Sequence, residues 1–595
     1  MIALAVLVVF VALPELIAAL RKDPGKGVQE VNQTLSLPED QSTIDLLKQL
    51  NGLAIVGTAL SAVWAFVARR GKTIALAVAT VAAPIAIFLP LVIVAEEIAA
   101  GGISSSDVTL LGGAIAVAAL FWFLFDLNQW SLNPFYRRRL GGAFFVRREA
   151  DGSVSQQSVH EPVKFSELAT GDLFPELIVC AAANVSDEGV TPPGRNATSF
   201  RFSKEAIGGP LLSEPSPSAE TYEQAAKDAG RDASIPAAVA VSGAAVSPTM
   251  GKKTLRAFTM LLTLTNVRLG VWLPNPARLP AKAPGPTLRA RLLGAMPGDG
   301  GRVREWLGAR RPGPHYLFKE MFGQTRITDR YLYVTDGGHY DNLGLVELLR
   351  QGCTTVFCLD GGGDAAGTYQ ALGEAVALAR SELGVDVQVD PLPIAAANKK
   401  EFAPTDHVLG RIRYRGTTGE APMGSAVEGT GTLVYCRAAV TEDAPWDVRD
   451  FRSRDPRFPI HSTLDQLFND QKFESYRALG GWTARRALKT WQRRVLLDAV
   501  RRTLIERART QGWFCHDDLV AEVRESLREE FGLREAPTWA PPNQFLAVLG
   551  EISSMEEAAQ RPPLALIVQE RRPRRALRRE LTPVWDYWAS SEAAP

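Results

Sequence analysis

Cysteine and histidine are both scarce in this sequence, with five and six copies among 595 residues. The cysteines are scattered, odd in number and never spaced as C-x2-C. A disulfide framework and a structural zinc site are therefore both disfavoured. We expect reduced thiols, no bound metal and no other cofactor. The chain is too long for one ordinary core, so two to four units are expected.

The sequence also has no excess of charge of one sign. Lysine and arginine together number 66 against 65 acidic residues, which gives a formal net charge of +1. This balance gives no general reason to expect a nucleic-acid partner. The even average conceals an asymmetry, because the first 130 residues hold nearly all of the long apolar runs.

Four apolar runs approach the roughly 20 residues needed to cross a bilayer, at 2–20, 52–68, 73–95 and 108–125. Basic residues follow the second run in "RRGK" and the fourth in "YRRRL", and the loop after the third run has none. The positive-inside rule then places the rest of the chain in the cytoplasm. The sequence thus predicts a transmembrane region over 1–130 in a multi-pass plasma- or inner-membrane protein, with membrane lipid as anchor and substrate. Alternatively, the first run only dips into the membrane.

The chain after residue 130 alternates between strand-like and helix-like segments. Apolar runs that end at Ala183, Asp336 and Asp360 are typical of buried strands, and helical patterns lie between the later ones. This succession predicts an α/β domain over 131–480, with a mostly parallel sheet flanked by helices. A helical, basic region is expected over 481–595. Its run "RRPRRALRRE" is either a solvated tail or a contact for anionic lipid.

The segment "YLYVTDGGHYDN" places a carboxylate, Asp336, between a strand and two glycines. Reactive groups of an open α/β sheet gather at such strand ends. Gly337 and Gly338 permit a positive φ and leave the carboxylate sterically open. The dipole of the next helix would hold the carboxylate ionised, as the general base for a serine requires. The alternative is that Asp336 only caps that helix.

Other side chains are candidates for the same site. His339 and Asp341 flank the turn and are candidates to shape the site, although a plain surface role is expected for His339. Ser242, in "AVSGAAVSP", lies among small residues upstream of the turn and is the candidate nucleophile. The alternative for Ser242 and Gly243 is that they mark close packing of a helix on the sheet.

The turn and its upstream neighbours resemble a known family. "VTDGGHYDNLGLVELL", with the earlier "ELIVCAAANVSDEG" and "SFRFSKEAIGGP", is similar to the patatin-like and cytosolic phospholipase A group of lipid acyl hydrolases. The resemblance implies a Ser–Asp dyad on an α/β sheet and hydrolysis of lipid esters, of the phospholipase or lysophospholipase type. It makes Asp336 the dyad carboxylate and Gly337 and Gly338 its turn glycines.

The chain lacks the family's G-x-S-x-G element and its glycine-rich oxyanion loop. Ala240 and Ala244 stand where a nucleophile elbow around Ser242 would have glycines. A second interpretation is therefore a non-catalytic membrane scaffold, or half of a split hydrolase completed by a separate nucleophile-bearing polypeptide. A third is a metal-dependent hydrolase built on Asp336, Asp360 and Asp364, for which a simple glycine-rich loop is the alternative.

Overall fold

The computed structural model describes residues 126–129, 131–149, 151–156, 162–169, 175–187, 189–264, 266–279, 312–313, 315–363, 367–395, 402–414, 429–461, 468–569, 581–584 and 586–587. The chain divides into two compact units. Unit 1 ends at Gly344, and unit 2 begins at Leu345.

The structure corrects the prediction of a multi-pass membrane protein. In the part of the chain that the structure describes, no helix is both long enough and apolar enough to cross a bilayer. The four apolar runs on which the predicted transmembrane region and its localisation depended lie within residues 1–125, outside the described residues.

Unit 1 combines short helices with strands along its described length. Its helices are α1 (Asn133–Phe144), α2 (Ala219–Asp228), α3 (Ile235–Ser242), α4 (Arg256–Leu264) and α5 (His315–Met321). Its strands are β1 (Val146–Arg148), β2 (Val154–Gln156), β3 (Val179–Asn184), β4 (Ala197–Phe202), β5 (Ile207–Gly208), β6 (Val271–Pro274) and β7 (Tyr331–Asp336). Strands β1 and β2 form a small antiparallel pair.

The main sheet of unit 1 has the order β5-β4-β3-β7-β6, and every neighbouring pair in it is antiparallel. The prediction of a mostly parallel, patatin-like sheet is therefore wrong. The connection from β3 to β4 holds no described helix that could carry the chain back to the starting edge, so the chain reverses direction there. The strand predicted before the Asp-Gly-Gly turn does occur, as β7.

Small side chains bring α3 close to the sheet. Strand β3 reads "VCAAAN", and its three alanines are almost fully buried. Helix α3 reads "IPAAVAVS" and is apolar on all sides, as expected for a buried helix. Its Ala238 and Val241 share a core with Ala181 and Ala183 of β3. Alanine on both surfaces lets the two backbones approach closely, which positions the end of α3 over the sheet.

A buried ion pair lies within unit 1. Arg268 and Glu320 are both 0 % exposed and form a salt bridge. Trp272, which is also fully buried, donates its indole N–H to Glu320 Oε1 at 2.7 Å. Burial raises the pKa of Glu320, and this effect exceeds the opposing influence of the Arg268 cation. The pair therefore carries a large desolvation cost, which its mutual contact and the Trp272 hydrogen bond partly offset.

Unit 2 has a separate sheet and a helical region. Its helices are α6 (Leu345–Arg350), α7 (Gln370–Leu383), α8 (Trp446–Arg454), α9 (Asp470–Arg509), α10 (His516–Glu530) and α11 (Pro542–Ala558). Its strands are β8 (Thr355–Asp360), β9 (Asp386–Gln388), β10 (His407–Tyr414), β11 (Gly429–Arg437), β12 (Phe514–Cys515) and β13 (Val568–Gln569). The first four form a mixed sheet in the order β8-β11-β10-β9, in which β8 and β11 are parallel. Helices α9, α10 and α11 enclose an apolar core of their own.

Candidate functional site

Asp336 is the last residue of β7 and pairs across the sheet with Ala181 of β3. Its carboxylate accepts a hydrogen bond from the N–H of Gly338 at 2.7 Å and so caps the 3-10 turn Gly337–His339. The carboxylate is thus bound to the turn itself, as the capping alternative expected. This contact does not occupy the whole group, because a carboxylate has two oxygens that can accept several hydrogen bonds.

The two glycines of the turn lie where a Cβ atom would be crowded. Neither Gly337 nor Gly338 has a positive φ, so the predicted reason for glycine is wrong. A Cβ on Gly337 would lie 2.8 Å from the carbonyl oxygen of Cys180, a backbone atom of β3. A Cβ on Gly338 would lie 2.3 Å from Oδ1 of Asn342. At Gly337 the nearest atom belongs to the backbone, so a side chain would displace the turn, whereas at Gly338 the nearest atoms belong to the side chains of Asn342 and Asp336.

The carboxylate of Asp336 is partly shielded from water. Burial raises the pKa of its carboxyl above the usual range, while the Gly338 N–H and the Lys253 cation act in the opposite direction. Burial, and not the predicted helix dipole, therefore has the largest effect on the pKa of Asp336. A carboxyl with a raised pKa is a stronger base than an ordinary aspartate.

Ser242 lies beside this turn. It is the last residue of α3, and its Oγ donates a hydrogen bond to the carbonyl oxygen of Cys180 at 2.7 Å. The position that a Gly337 Cβ would take is 3.8 Å from the same Oγ. The structure thus places the Ser242 hydroxyl near the turn that Asp336 caps. It also shows the close packing of α3 on the sheet that was the alternative reading of Ser242.

Two further side chains, those of Tyr136 and Lys253, interact electrostatically with Asp336, and no sequence pattern selects either of them. A Cβ on Gly243 would lie 2.9 Å from the hydroxyl of Tyr136, a residue of α1. Burial raises the pKa of Tyr136, and the negative charge of Asp336 raises it further. Lys253 is the exposed cation that acts on Asp336. Both residues lie far from the turn along the chain, and neither belongs to a motif that would connect it with Asp336.

His339 is buried, so the expected surface role is wrong. It is 5 % exposed, and its Nδ1 lies 2.8 Å from the hydroxyl of Thr335. Asn184 donates to the same hydroxyl at 2.8 Å. Burial, helped by the Lys253 cation, lowers the pKa of His339 to about 3. The imidazole is therefore neutral at physiological pH and stabilises the base of the turn.

Asp341 and Asp360 are both engaged in local structure. Asp341 is buried and accepts the N–H of Leu343 at 3.0 Å. Asp360, in unit 2, accepts the Tyr435 hydroxyl at 2.6 Å and the N–H of Gly362 at 2.8 Å. Asp364 lies outside the described residues. Within the described ranges, no group of three or more histidine, cysteine or acidic residues is arranged to hold a metal ion.

Comparison of the chain with protein-family models, with curated proteins and with solved structures finds no match. The comparisons therefore lend no support to an assignment as a phospholipase or another hydrolase.

Proposed function

We propose that unit 1 carries a serine-type carboxylic-ester hydrolase centre, with Ser242 as the nucleophile and Asp336 as its general base. The observation that supports the proposal is the position of Ser242 Oγ beside the turn that Asp336 caps. The substrate class, an ester of a fatty acid, follows only from the resemblance of the Asp336 segment to lipid acyl hydrolases.

The reaction requires the Ser242 hydroxyl to leave the Cys180 carbonyl and turn towards Asp336, by rotation about χ1. Oγ then attacks the ester carbonyl carbon while its proton passes to Asp336. The ester C–O bond breaks, and the alcohol departs with that proton. Water, deprotonated by Asp336, next attacks the acyl-serine. The carboxylic acid is released, and Ser242 regains its proton.

The electrostatics of the neighbours favour this chemistry. The raised pKa of Asp336 brings the base closer to the pH at which it would work. The phenol of Tyr136 is protonated at neutral pH, because its ordinary pKa is already near 10 and burial raises it further. A protonated phenol at this place can donate a hydrogen bond to the oxygen on which negative charge develops.

A fluorophosphonate probe tests the proposal, because it labels only an activated serine. We expect the full-length protein to be labelled and Ser242→Ala to abolish labelling. Asp336→Asn should slow labelling by about 10² to 10⁴, the usual contribution of a general base. Ser153→Ala, in the exposed β1–β2 turn, is the matched control and should label normally. Folded protein that remains unlabelled refutes Ser242 as the nucleophile.

A second candidate is half of a split hydrolase, in which this chain supplies Asp336 and another polypeptide supplies the serine. It is favoured by the place of Ser242 at the C-terminal end of α3. The negative end of a helix dipole disfavours an attacking alkoxide there. On this alternative, the probe labels a second, co-purifying polypeptide, and Asp336→Asn in the present chain abolishes that labelling.

A further inference from the structure

A chain of hydrogen bonds in unit 2 joins a carboxylate, an imidazole and a hydroxyl. Asp406 directly precedes His407, the first residue of β10, and its Oδ1 lies 2.7 Å from Nδ1 of His407. On the other side of the ring, Nε2 of His407 lies 2.8 Å from Oγ1 of Thr490, a residue of α9. This order of contacts, from carboxylate to Nδ1 and from Nε2 to hydroxyl, is the order found in a catalytic triad.

The three groups run from the interior of unit 2 to its surface. Asp406 is 0 % exposed and His407 is 8 % exposed, whereas Thr490 is exposed. An ionised carboxylate can only accept hydrogen bonds, so the proton between Asp406 and the ring belongs to Nδ1. Nε2 of the neutral ring is then an acceptor, and the Thr490 hydroxyl donates to it. The buried carboxylate thus selects the tautomer that can take a proton from the hydroxyl.

The carboxylate of Asp406 is also held through its other oxygen. Thr483, a residue of α9, donates its hydroxyl to Oδ2 at 3.0 Å. The guanidinium of Arg486 lies 4.0 Å from the same oxygen but pairs more closely with Asp443, at 2.7 Å. His407 is therefore the closest of these three contacts of Asp406. A carboxylate in this position stabilises the imidazolium that forms when His407 takes a proton.

The surroundings of Thr490 suit the transfer of a small acyl group. A hydroxyl is a weak nucleophile until a base takes its proton, and a histidine within hydrogen-bond distance is such a base. The methyl group on Cβ of threonine crowds Oγ1, so a small acyl group fits best. Because Thr490 is exposed, water can solvate the oxyanion that forms, which is less effective than fixed N–H groups. We therefore expect a slow reaction.

We propose that Thr490 is a nucleophile separate from Ser242 and takes the acyl group of small activated esters, with His407 as its general base and Asp406 as the residue that positions the base. Oγ1 of Thr490 attacks the ester carbonyl carbon while its proton passes to Nε2 of His407. The C–O bond to the leaving group breaks, and the alcohol departs with that proton. An ester on Thr490 remains.

Acetylation by p-nitrophenyl acetate tests the proposal, with full-length Ser242→Ala as the parent protein. Release of p-nitrophenol gives the rate, and peptide mass spectrometry locates the acetyl group. We expect acetyl on Thr490 of the parent, and His407→Gln should slow its formation by about 10² to 10⁴. Ser475→Ala is the matched control on α9, because the Ser475 hydroxyl donates to a carbonyl oxygen at 2.8 Å and not to an imidazole. It should react as the parent does.

Two further variants keep the test informative if His407→Gln fails to fold. Thr490→Ser retains the hydroxyl without the methyl group and should be acetylated at residue 490, whereas Thr490→Val should lose this part of the p-nitrophenol release. The exposed position of Thr490 makes both changes mild. Asp406→Asn should move the midpoint of the rate against pH to lower pH, because the imidazolium loses its carboxylate. A purely structural role of Asp406 would leave that midpoint unchanged.

Several results would overturn the proposal. It is wrong if the folded parent carries no acetyl group on Thr490, if folded His407→Gln is acetylated there at the parental rate, or if folded Thr490→Ser stays unmodified. An unchanged pH midpoint in Asp406→Asn overturns the role given to Asp406. Since the parent lacks Ser242, none of these results depends on the hydrolase centre proposed for unit 1. Failure of serine labelling would leave the proposal for Thr490 unchanged.

Discussion

The hydroxyl of Ser242 donates a hydrogen bond to the carbonyl oxygen of Cys180 across 2.7 Å. Cys180 directly precedes Ala181, the residue of β3 that pairs with Asp336. Adjacent residues of β3 therefore contact the serine hydroxyl and pair with the residue that carries the carboxylate. The distance between the two groups depends on how closely α3 and β7 pack on this strand.

The stability of the protein should respond to the charge of Asp336. Because burial raises the folded-state pKa, the folded protein holds the proton more tightly than the unfolded chain does. This stabilisation is complete below the unfolded pKa and is lost as the pH rises through the folded pKa. Asp336→Asn should therefore unfold at higher urea concentration than the wild type at pH 7. The difference should shrink as the pH falls through the usual carboxyl range. If Asp336→Asn is less stable than the wild type at pH 7, the conclusion that burial disfavours the ionised carboxylate is wrong.

His339 should contribute a pH dependence of opposite sign. Its pKa falls from about 6.5 in the unfolded chain to about 3 in the folded one, mainly because of burial. Its contribution to stability is therefore present above pH 6.5 and is lost as the pH falls from there towards 3. We expect His339→Gln to lose less stability than the wild type between pH 7 and pH 5 in urea titrations. The proton resonances of His339 should not shift between pH 5 and pH 8, and a midpoint near 6.5 would contradict its burial.

The turn at Asp336 should not tolerate a side chain at Gly337. Gly337→Ala places a Cβ 2.8 Å from a backbone oxygen of β3 that cannot move without disturbing the sheet. We expect a loss of about 1–3 kcal/mol in the free energy of unfolding, as is typical of overpacking. Gly189→Ala is the control, because the space around Gly189 is open and its φ is not positive. Chemical denaturation measures both, and equal effects would show that the turn can relax.

Because the ion pair is buried, replacing one of its residues should destabilise the protein much more than replacing both. Arg268→Met leaves Glu320 buried without its cation and should cost about 3–5 kcal/mol, measured by urea unfolding at pH 7. Arg268→Met combined with Glu320→Leu should recover most of that loss, because neither charge then remains. Arg493→Ala, which removes an exposed pair with Glu551, should leave the unfolding midpoint unchanged. A double variant no better than the single one would mean that packing, not charge, dominates.

Local structure was largely predictable from the sequence, whereas strand direction was not. The apolar runs predicted as strands, which end at Ala183, Asp336 and Asp360, occur as β3, β7 and β8. The alternation of strands and helices indicated parallel pairing, yet β3 and β4 are joined by a loop whose "VTPPGRNAT" is typical of a chain reversal. Strand order depends on contacts that are distant in sequence, and periodicity carries no information about them.

The candidate site was also only partly predictable from the sequence. Ser242 and Asp336 were selected because their side chains and small neighbours suit a hydrolase, and the structure places Ser242 beside the turn of Asp336. Tyr136 was missed because it lies in a basic segment whose pattern says nothing about the turn. Its proximity follows from the packing of α1 on the end of α3, near Gly243. Only tertiary structure could reveal that neighbour.

The position of β7 between β3 and β6 has a consequence for how unit 1 reaches its native state. Strand β3 leaves the ribosome long before its partner β7, and the described residues between them already include four helices and three strands. The centre of the sheet cannot close until that whole stretch has been synthesised. Pairings this distant slow folding, so the Ala181–Asp336 register should be among the last contacts to form, and nascent chains truncated before Tyr331 should expose β3 to proteases and chaperones.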